Sequence, residues 1–192
     1  LPALAMETPV HLLLNCPRAI FEQNMVQIDE NNQQITPFLA EDTTMVPIRF
    51  LAELLGYQVT YDTETETAQL TGEHTITFQN GSAHFTLDGT AHGMPRTAVE
   101  QQGRMYVPVR AVCEALSCEV QWNQELISIF PASADAELTD ADVQSLIQQL
   151  RSGEALQEDA FSIIGDRLIQ DVYSDTADPE SALQDLQQDG SF

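Results

Sequence analysis

Apolar residues at helical spacing follow two Val-Pro dipeptides, Val46-Pro47 and Val107-Pro108. In each run the large side chains stand three or four residues apart, which is typical of the buried face of a short amphipathic helix. Proline suits the first turn of a helix, because its missing N–H would be unpaired there in any case. After each helix, alternating polar and apolar residues predict a strand, from Tyr57 to Tyr61 and from Cys118 to Trp122.

The two segments are copies of one pattern. Residues from Val46 to Asp62 align without a gap on residues from Val107 to Asn123, which lie 61 positions further along. Internal similarity of this length indicates one supersecondary unit used twice. Gly56 ends the first helix, where left-handed backbone angles favour glycine. Ser117 takes its place in the second copy, so we expect a weaker or differently shaped helix end there.

Six side chains in these copies are candidates for a binding surface. On each helix an arginine and a glutamate stand four residues apart, so that they can meet as a surface pair or serve as a ligand site. On each following strand an aromatic residue shares a face with a valine. The two aromatic side chains either cover the helix as part of the core or form exposed platforms for sugar rings. The candidates are Arg49, Glu53, Tyr61, Arg110, Glu114 and Trp122.

A hairpin is predicted between the copies. Asn80-Gly81 is typical of a two-residue type I′ turn, which would pair Phe78 with Ala83. The apolar residues of the two strands then share one face, and the polar residues take the other. This division predicts a half-buried antiparallel sheet.

Longer motifs in the two copies suggest a family. The first is Val46-Pro47-Ile48-Arg49 followed by Glu53-Leu54-Leu55-Gly56, and the second runs from Gly103 to Arg110 followed by Glu114-Ala115-Leu116. These motifs resemble the copper amine oxidase N-terminal domain, a non-catalytic stalk domain of exported bacterial proteins. The resemblance implies an α+β fold class, in which twisted antiparallel β-sheets are each wrapped on one α-helix as a tandem repeat. Copy one would cover about residues 10–72, and copy two about residues 73–131.

The resemblance does not imply amine oxidation, because that chemistry belongs to a separate domain of the named enzymes. Their copper site needs three histidines and a tyrosine that follows an asparagine, and no tyrosine here follows one. The histidines show no metal-binding spacing. They are His11, His74, His84 and His92. We therefore predict a protein that is not an enzyme, with no catalytic residue, no metal ligand and no cofactor. A small hydrolase of an unrecognised type is an alternative.

After the second copy the pattern becomes helical. Thr139 and Asp142 have the spacing of a capping box, and apolar residues at helical spacing follow them. Similar patterns predict a helix from about Leu156 to Tyr173 and a short helix that opens at Asp178-Pro179. We expect a small all-α C-terminal segment over residues 135–192. It either packs back on the sheets or serves a structural dimerisation module.

Composition narrows the choice of partners. The 192-residue chain has 30 acidic and 7 basic residues, for a formal net charge of −23. Such a surface repels the phosphates of nucleic acids and of anionic membranes, so we expect no nucleic-acid partner. No apolar run reaches the roughly 18–20 residues that span a bilayer, so we expect no membrane insertion.

The N-terminus and the cysteines bear on location. Ala3-Leu4-Ala5 has the form of a signal-peptidase site, so we interpret residues 1–9 as a signal-peptide stub and a disordered N-terminus. An arbitrary chain boundary is the alternative. Cys16, Cys113 and Cys118 cannot all pair within one chain, and the sequence leaves their pairing open.

These patterns predict a non-catalytic exported module, placed outside the cell or in the cell envelope. It would act as a scaffold or binding surface for a cell-wall polymer or another envelope protein. A homodimer is a further expectation, through the C-terminal helices.

Overall fold

The computed structural model describes residues 8–132 and 137–154, which form fourteen short strands and three helices. The first half contains β1 (Val10–Leu13), β2 (Arg18–Phe21), β3 (Asn24–Gln27), β4 (Phe38–Ala40), β5 (Thr43–Pro47), α1 (Ile48–Leu54), β6 (Gln58–Asp62) and β7 (Thr67–Thr71). The second half contains β8 (Thr75–Gln79), β9 (His84–Leu87), β10 (Thr90–Gly93), β11 (Val99–Gln101), β12 (Arg104–Pro108), α2 (Val109–Ala115), β13 (Glu119–Asn123) and β14 (Leu126–Phe130). A last helix, α3 (Asp140–Ser152), follows.

The two halves contain the same elements in the same order. In each half, five strands precede a helix of seven residues and two strands follow it. The strands pair antiparallel throughout the described residues, so the molecule has the predicted α+β class. Pro47 and Pro108 stand directly before the first helical residue, in extended conformation, one position earlier than the pattern indicates.

Each of the three sheets draws strands from both halves. One outer sheet has the order β13-β14-β1-β2-β3, and the other has the order β10-β9-β8-β7-β6. The first three strands of each half therefore complete the sheet of the other half. This differs from the expected tandem arrangement, in which each copy would wrap its own sheet on its own helix. The cause is local: only residues 72–74 join β7 to β8, and so short a connection makes the two strands neighbours in one sheet.

The third sheet, with the order β11-β12-β5-β4, joins the halves around a pseudo-twofold axis. In it Val46 pairs with Val107, Met45 with Pro108, and Pro47 with Tyr106. Val46 and Val107 occupy the same position of the repeat, so the axis passes between them. Both valines are fully buried. Helix α1 packs on β12 as well as on β6, and α2 packs on β5 as well as on β13.

Helix α3 packs back on the first outer sheet. Thr139 and Asp142 form the predicted capping box, and Gly153 ends the helix in left-handed conformation. Arg18 donates hydrogen bonds to the carbonyl oxygens of Leu150 and Arg151, in the last turn of the helix. The buried cluster beneath the helix consists of Leu13, Cys16, Ile20, Leu126, Val143, Ile147 and Leu150. The helices predicted beyond residue 155 lie outside the described residues, as do residues 1–7 of the predicted signal-peptide stub and N-terminus.

The predicted hairpin register is wrong by two residues. Phe78 pairs with Phe85 rather than with Ala83. The backbone N–H groups of Asn80 and Gly81 donate to carbonyls of other loops, which draws these two residues out of a simple two-residue turn. The predicted apolar face nevertheless survives, because a shift by two residues keeps each side chain on its side of the sheet.

Ser117 has the same backbone shape as Gly56. Its φ is 58°, against 80° for the glycine, and both N–H groups bond the carbonyl three residues earlier. The expected difference in shape is therefore wrong, and the difference between the two helix ends is one of strain. Left-handed angles bring the Cβ of an L-residue too close to the following carbonyl oxygen.

Replacing Ser117 by glycine should therefore stabilise the protein. We expect Ser117→Gly to raise the free energy of unfolding by about 0.5–1 kcal/mol, since the relieved strain exceeds the added chain entropy of glycine. Urea unfolding of the intact chain measures the change. The matched variant Gly56→Ser should lower the stability by a similar amount, and a loss of stability in Ser117→Gly would contradict the strain argument.

Candidate functional site

Two grooves contain the aromatic candidates. Groove one has a volume of about 350 Å³. It is lined by Arg49 and Tyr61 of the first half and by Glu100, Gly103, Arg104 and Met105 of the second. Groove two has a volume of about 600 Å³. It is lined by Arg110 and Trp122 of the second half and by Leu39, Asp42, Thr43 and Thr44 of the first, together with Pro95.

The grooves are two versions of one site. Tyr61 and Trp122 stand 61 residues apart, at equivalent positions of the repeat. The same offset relates Leu39 to Glu100, and it also relates Thr44 to Met105. β5 lies beside β12 at the pseudo-twofold axis. The β4–β5 hairpin of the first half therefore reaches the start of α2 and Trp122, and the β11–β12 hairpin of the second half reaches the start of α1 and Tyr61. Each groove therefore needs both halves of the chain.

The polar side chains that line groove one are hydrogen-bonded or ion-paired to other side chains of the protein. The hydroxyl of Tyr61 donates to Glu100 Oε2 at 2.6 Å, and this bond raises the pKa of Tyr61 to about 12, because the neighbouring carboxylate favours the protonated phenol. Arg104 is paired with Asp29, whose carboxyl pKa is held below its usual value by the guanidinium. Arg49 pairs with Glu53 at 3.8 Å, as the helical spacing predicts.

Groove two has no such internal partners. Leu39 replaces Glu100 and is 52% exposed, so the edge facing Trp122 is apolar. The hydroxyl of Thr44, a residue that is only 4% exposed, has no hydrogen-bond partner among the residues that the structure describes. Within the part of the chain that the structure describes, Asp42, Arg110 and the indole N–H of Trp122 likewise make no hydrogen bond or ion pair. Asp42 and Arg110 are exposed to solvent, so their charged groups are available to a ligand that lies on the apolar floor.

A match to a family model shows the family to which this chain belongs. The family model named copper amine oxidase N-terminal domain matches residues 25–130, which is more than half of the chain. The chain belongs to this family. No curated protein and no solved structure matches it. The matched residues of this copper amine oxidase N-terminal domain include the aromatic side chains of both grooves, whereas α3 follows the matched region. The family is the one that the sequence motifs indicate, and its model describes the N-terminal, non-catalytic domain of copper amine oxidases.

A third depression adjoins groove two in this copper amine oxidase N-terminal domain. Groove three, of about 570 Å³, shares Pro95 and Arg110 with groove two. Its lining also includes Phe85, His92 and Glu114. Arg110 and Glu114 are not joined in an ion pair, unlike Arg49 and Glu53 on the other helix. Arg110 is therefore free to contact a ligand that lies across grooves two and three.

Sequence reasoning located one wall of each groove and missed the other. The other wall of groove two comes from the β4–β5 hairpin, with Leu39 and Thr44, and the other wall of groove one comes from the β11–β12 hairpin, with Glu100. The pattern of either copy taken alone does not place these residues beside the aromatic residue of the other copy. Alignment of the copies does show that these positions differ while the helix starts agree. That difference is the signal that could have drawn attention to them.

The described residues do not form a metal centre. Among residues 8–132 and 137–154, no group of three or more histidine, cysteine, aspartate or glutamate side chains could hold a metal ion. All three cysteines are unpaired, and burial raises the thiol pKa of Cys113 and Cys118. None of the helices in the described ranges has the length and apolar character needed to cross a bilayer.

Proposed function

We propose that this chain is an exported cell-envelope module that binds a wall polymer through a surface groove. The observation that carries the proposal is groove two, where a half-exposed leucine and a tryptophan form an apolar floor beside unpaired polar groups. Sugar rings offer an apolar face of C–H groups together with hydroxyls, so they match both parts of this lining. We further infer that each half of the chain is one copy of the family domain.

Charge supports a polymer of low charge as the partner. The net charge of −23 opposes the approach of nucleic acids and other polyanions at low ionic strength. Arg110 is the one basic residue among the described residues that line groove two, and Asp42 in the same lining balances it. Binding should therefore rely on stacking and neutral hydrogen bonds rather than on ion pairs.

The alternative functions find less support. A dimer through the C-terminal helices would need an uncovered apolar face; α3, the one of these helices that lies in the described residues, buries its apolar face on the sheet of its own chain and so does not supply that face. A hydrolase would need a cleft with two buried carboxylates, and no aspartate or glutamate is buried among the residues that the structure describes.

Sedimentation of the intact chain with purified, insoluble wall material tests the proposed binding. We expect retention in the pellet that persists up to about 1 M NaCl, where the Debye length is about 3 Å and surface charge is screened. The matched control adds an excess of soluble wall fragments, which should release the protein. Absence of retention at every salt concentration would contradict the proposal. Export is tested separately, by fractionating cells of the source organism, and recovery only in the cytoplasm would contradict it.

A further inference from the structure

We propose that groove two is a subsite for one uncharged sugar ring, that groove three takes the next ring of the same chain, and that groove one binds none. This inference rests on the proposed function and deepens it by naming the site and the ligand class. Grooves one and two lie at equivalent positions of the repeat, so the residues in which they differ decide which of them can bind a ligand.

The floor of groove two suits the apolar face of a sugar ring. Trp122 is partly exposed and stands in the same groove as Leu39, whose side chain is 52% exposed. A lone exposed leucine is common on protein surfaces, but beside an aromatic residue and rimmed by polar side chains it forms the kind of apolar patch that lines a ligand-binding groove. An aromatic residue of this kind provides a broad contact surface and keeps its N–H available for a hydroxyl.

The wall of groove two has unused hydrogen-bonding capacity. Thr44 is the cross-strand partner of Leu39, and its buried hydroxyl has no partner within the described residues. A buried polar group without a partner is rare in folded proteins and needs an explanation, which a water or a ligand hydroxyl at the edge of groove two would supply. Asp42 and Arg110 in the same lining can accept from and donate to further hydroxyls.

Groove one lacks each of these features. Glu100 stands where groove two has Leu39, and it accepts a hydrogen bond from Tyr61 across the groove. Met105 stands where groove two has Thr44, so this position has no hydroxyl to satisfy. The space is also smaller, about 350 Å³ against about 600 Å³.

The neighbouring groove three favours a polymer over a single sugar. It shares Pro95 and Arg110 with groove two, so one chain can lie across both without leaving the surface. His92 lines it with an exposed ring, which stacks on the buried ring of Phe85 with their centroids 5.3 Å apart. The carboxylates Asp42 and Glu114 flank the single arginine, which disfavours sugars that carry carboxylate or phosphate groups.

The fluorescence of Trp122 reports on groove two directly, because this is the one tryptophan in the chain. We would titrate the intact protein with chitotetraose, a neutral chain of N-acetylglucosamine rings, and expect a saturable change in emission. Leu39→Glu gives groove two the residue of groove one and should weaken binding at least tenfold. Thr44→Val removes the unpaired hydroxyl and should weaken binding severalfold while leaving the melting temperature equal or higher. The matched control Tyr61→Phe, in groove one, should bind like the unchanged protein.

The outcomes separate this inference from the proposed function. Retention on wall material without any change of Trp122 emission would overturn the inference and leave the proposed function standing. Loss of both would overturn the two together. Equal weakening by Tyr61→Phe and Leu39→Glu would overturn the assignment to groove two alone. A saturable response to a proline-rich peptide and none to chitotetraose would replace the sugar by a peptide and so also overturn it.

Discussion

The two halves of the chain will stay bound to each other after the loop between β7 and β8 is cut. A protease site inserted between Glu73 and His74 leaves Gly72 in place, where a Cβ would lie 2.7 Å from the ring of Tyr57. Each of the three sheets contains strands from both halves, so a cut at this loop breaks one covalent link and no sheet. We expect the cleaved protein to elute from gel filtration at the volume of the intact chain.

The control for the cleavage is the same sample in concentrated urea, where the two halves should separate. Two independent tandem copies, each with its own sheet and helix, would behave differently, because cleavage would release them without denaturant. Elution of separate folded halves at micromolar concentration would therefore contradict the exchanged strands. The effect is large because, in a half alone, three strands each lose one of their two neighbours: β1, β5 and β7 of the first half, or β14, β12 and β8 of the second.

Acid should destabilise the protein through His11. This residue is 7% exposed and lies 2.9 Å from the hydroxyl of Ser128, measured from Nδ1 to Oγ. Burial lowers the pKa of His11 from 6.5 to about 4, because the charged imidazolium loses its hydration. The unfolded chain binds a proton at pH values below 6.5, whereas the folded chain binds it only near pH 4. Stability from neutral His11 is therefore present above pH 6.5 and is lost as the pH falls towards 4.

The size of this loss follows from linkage. A pKa difference of this size corresponds to about 3 kcal/mol. We expect the free energy of unfolding of the natural protein, relative to that of His11→Gln, to fall by about this amount between pH 7.5 and pH 4. Urea unfolding of both proteins at each pH measures it, and the response of the many surface carboxylates cancels in the difference. Parallel pH curves for the two proteins would contradict a buried neutral histidine.

Local features of the fold could be predicted from the sequence because local physical chemistry decides them. The Val-Pro helix starts, the Thr139 capping box and the apolar face of the β8–β9 hairpin all depend on residues within a few positions of one another. The left-handed end at Ser117 shows the limit of that approach, since the repeat imposes the conformation on a residue that does not favour it.

The exchange of strands could not be predicted in the same way. The pairing of Val46 with Val107 and the pairing of β1 with β14 join residues far apart in sequence. Both halves have the same pattern, so the sequence of either one is compatible with its own sheet or with the sheet of the other. The short loop at residues 72–74 decides between them, and its effect is visible only once β7 and β8 are known to be neighbours.

The candidate site was predicted in part for a related reason. Tyr61 and Trp122 do line grooves, and Arg49 and Arg110 lie beside them. The opposite walls come from the other half, so the exchange that was not predicted also concealed Leu39 and Thr44. What the halves share builds the fold, and what differs between them decides which groove is open.

Nuclear magnetic resonance of the intact protein tests this central claim most directly. Addition of chitotetraose to the ¹⁵N-labelled protein should shift the indole N–H signal of Trp122 and the amide signals of Leu39 and Thr44. The signals of Tyr61 and Glu100, at the equivalent positions of groove one, should not move. Shifts of equal size in both grooves, or shifts confined to groove one, would contradict the account.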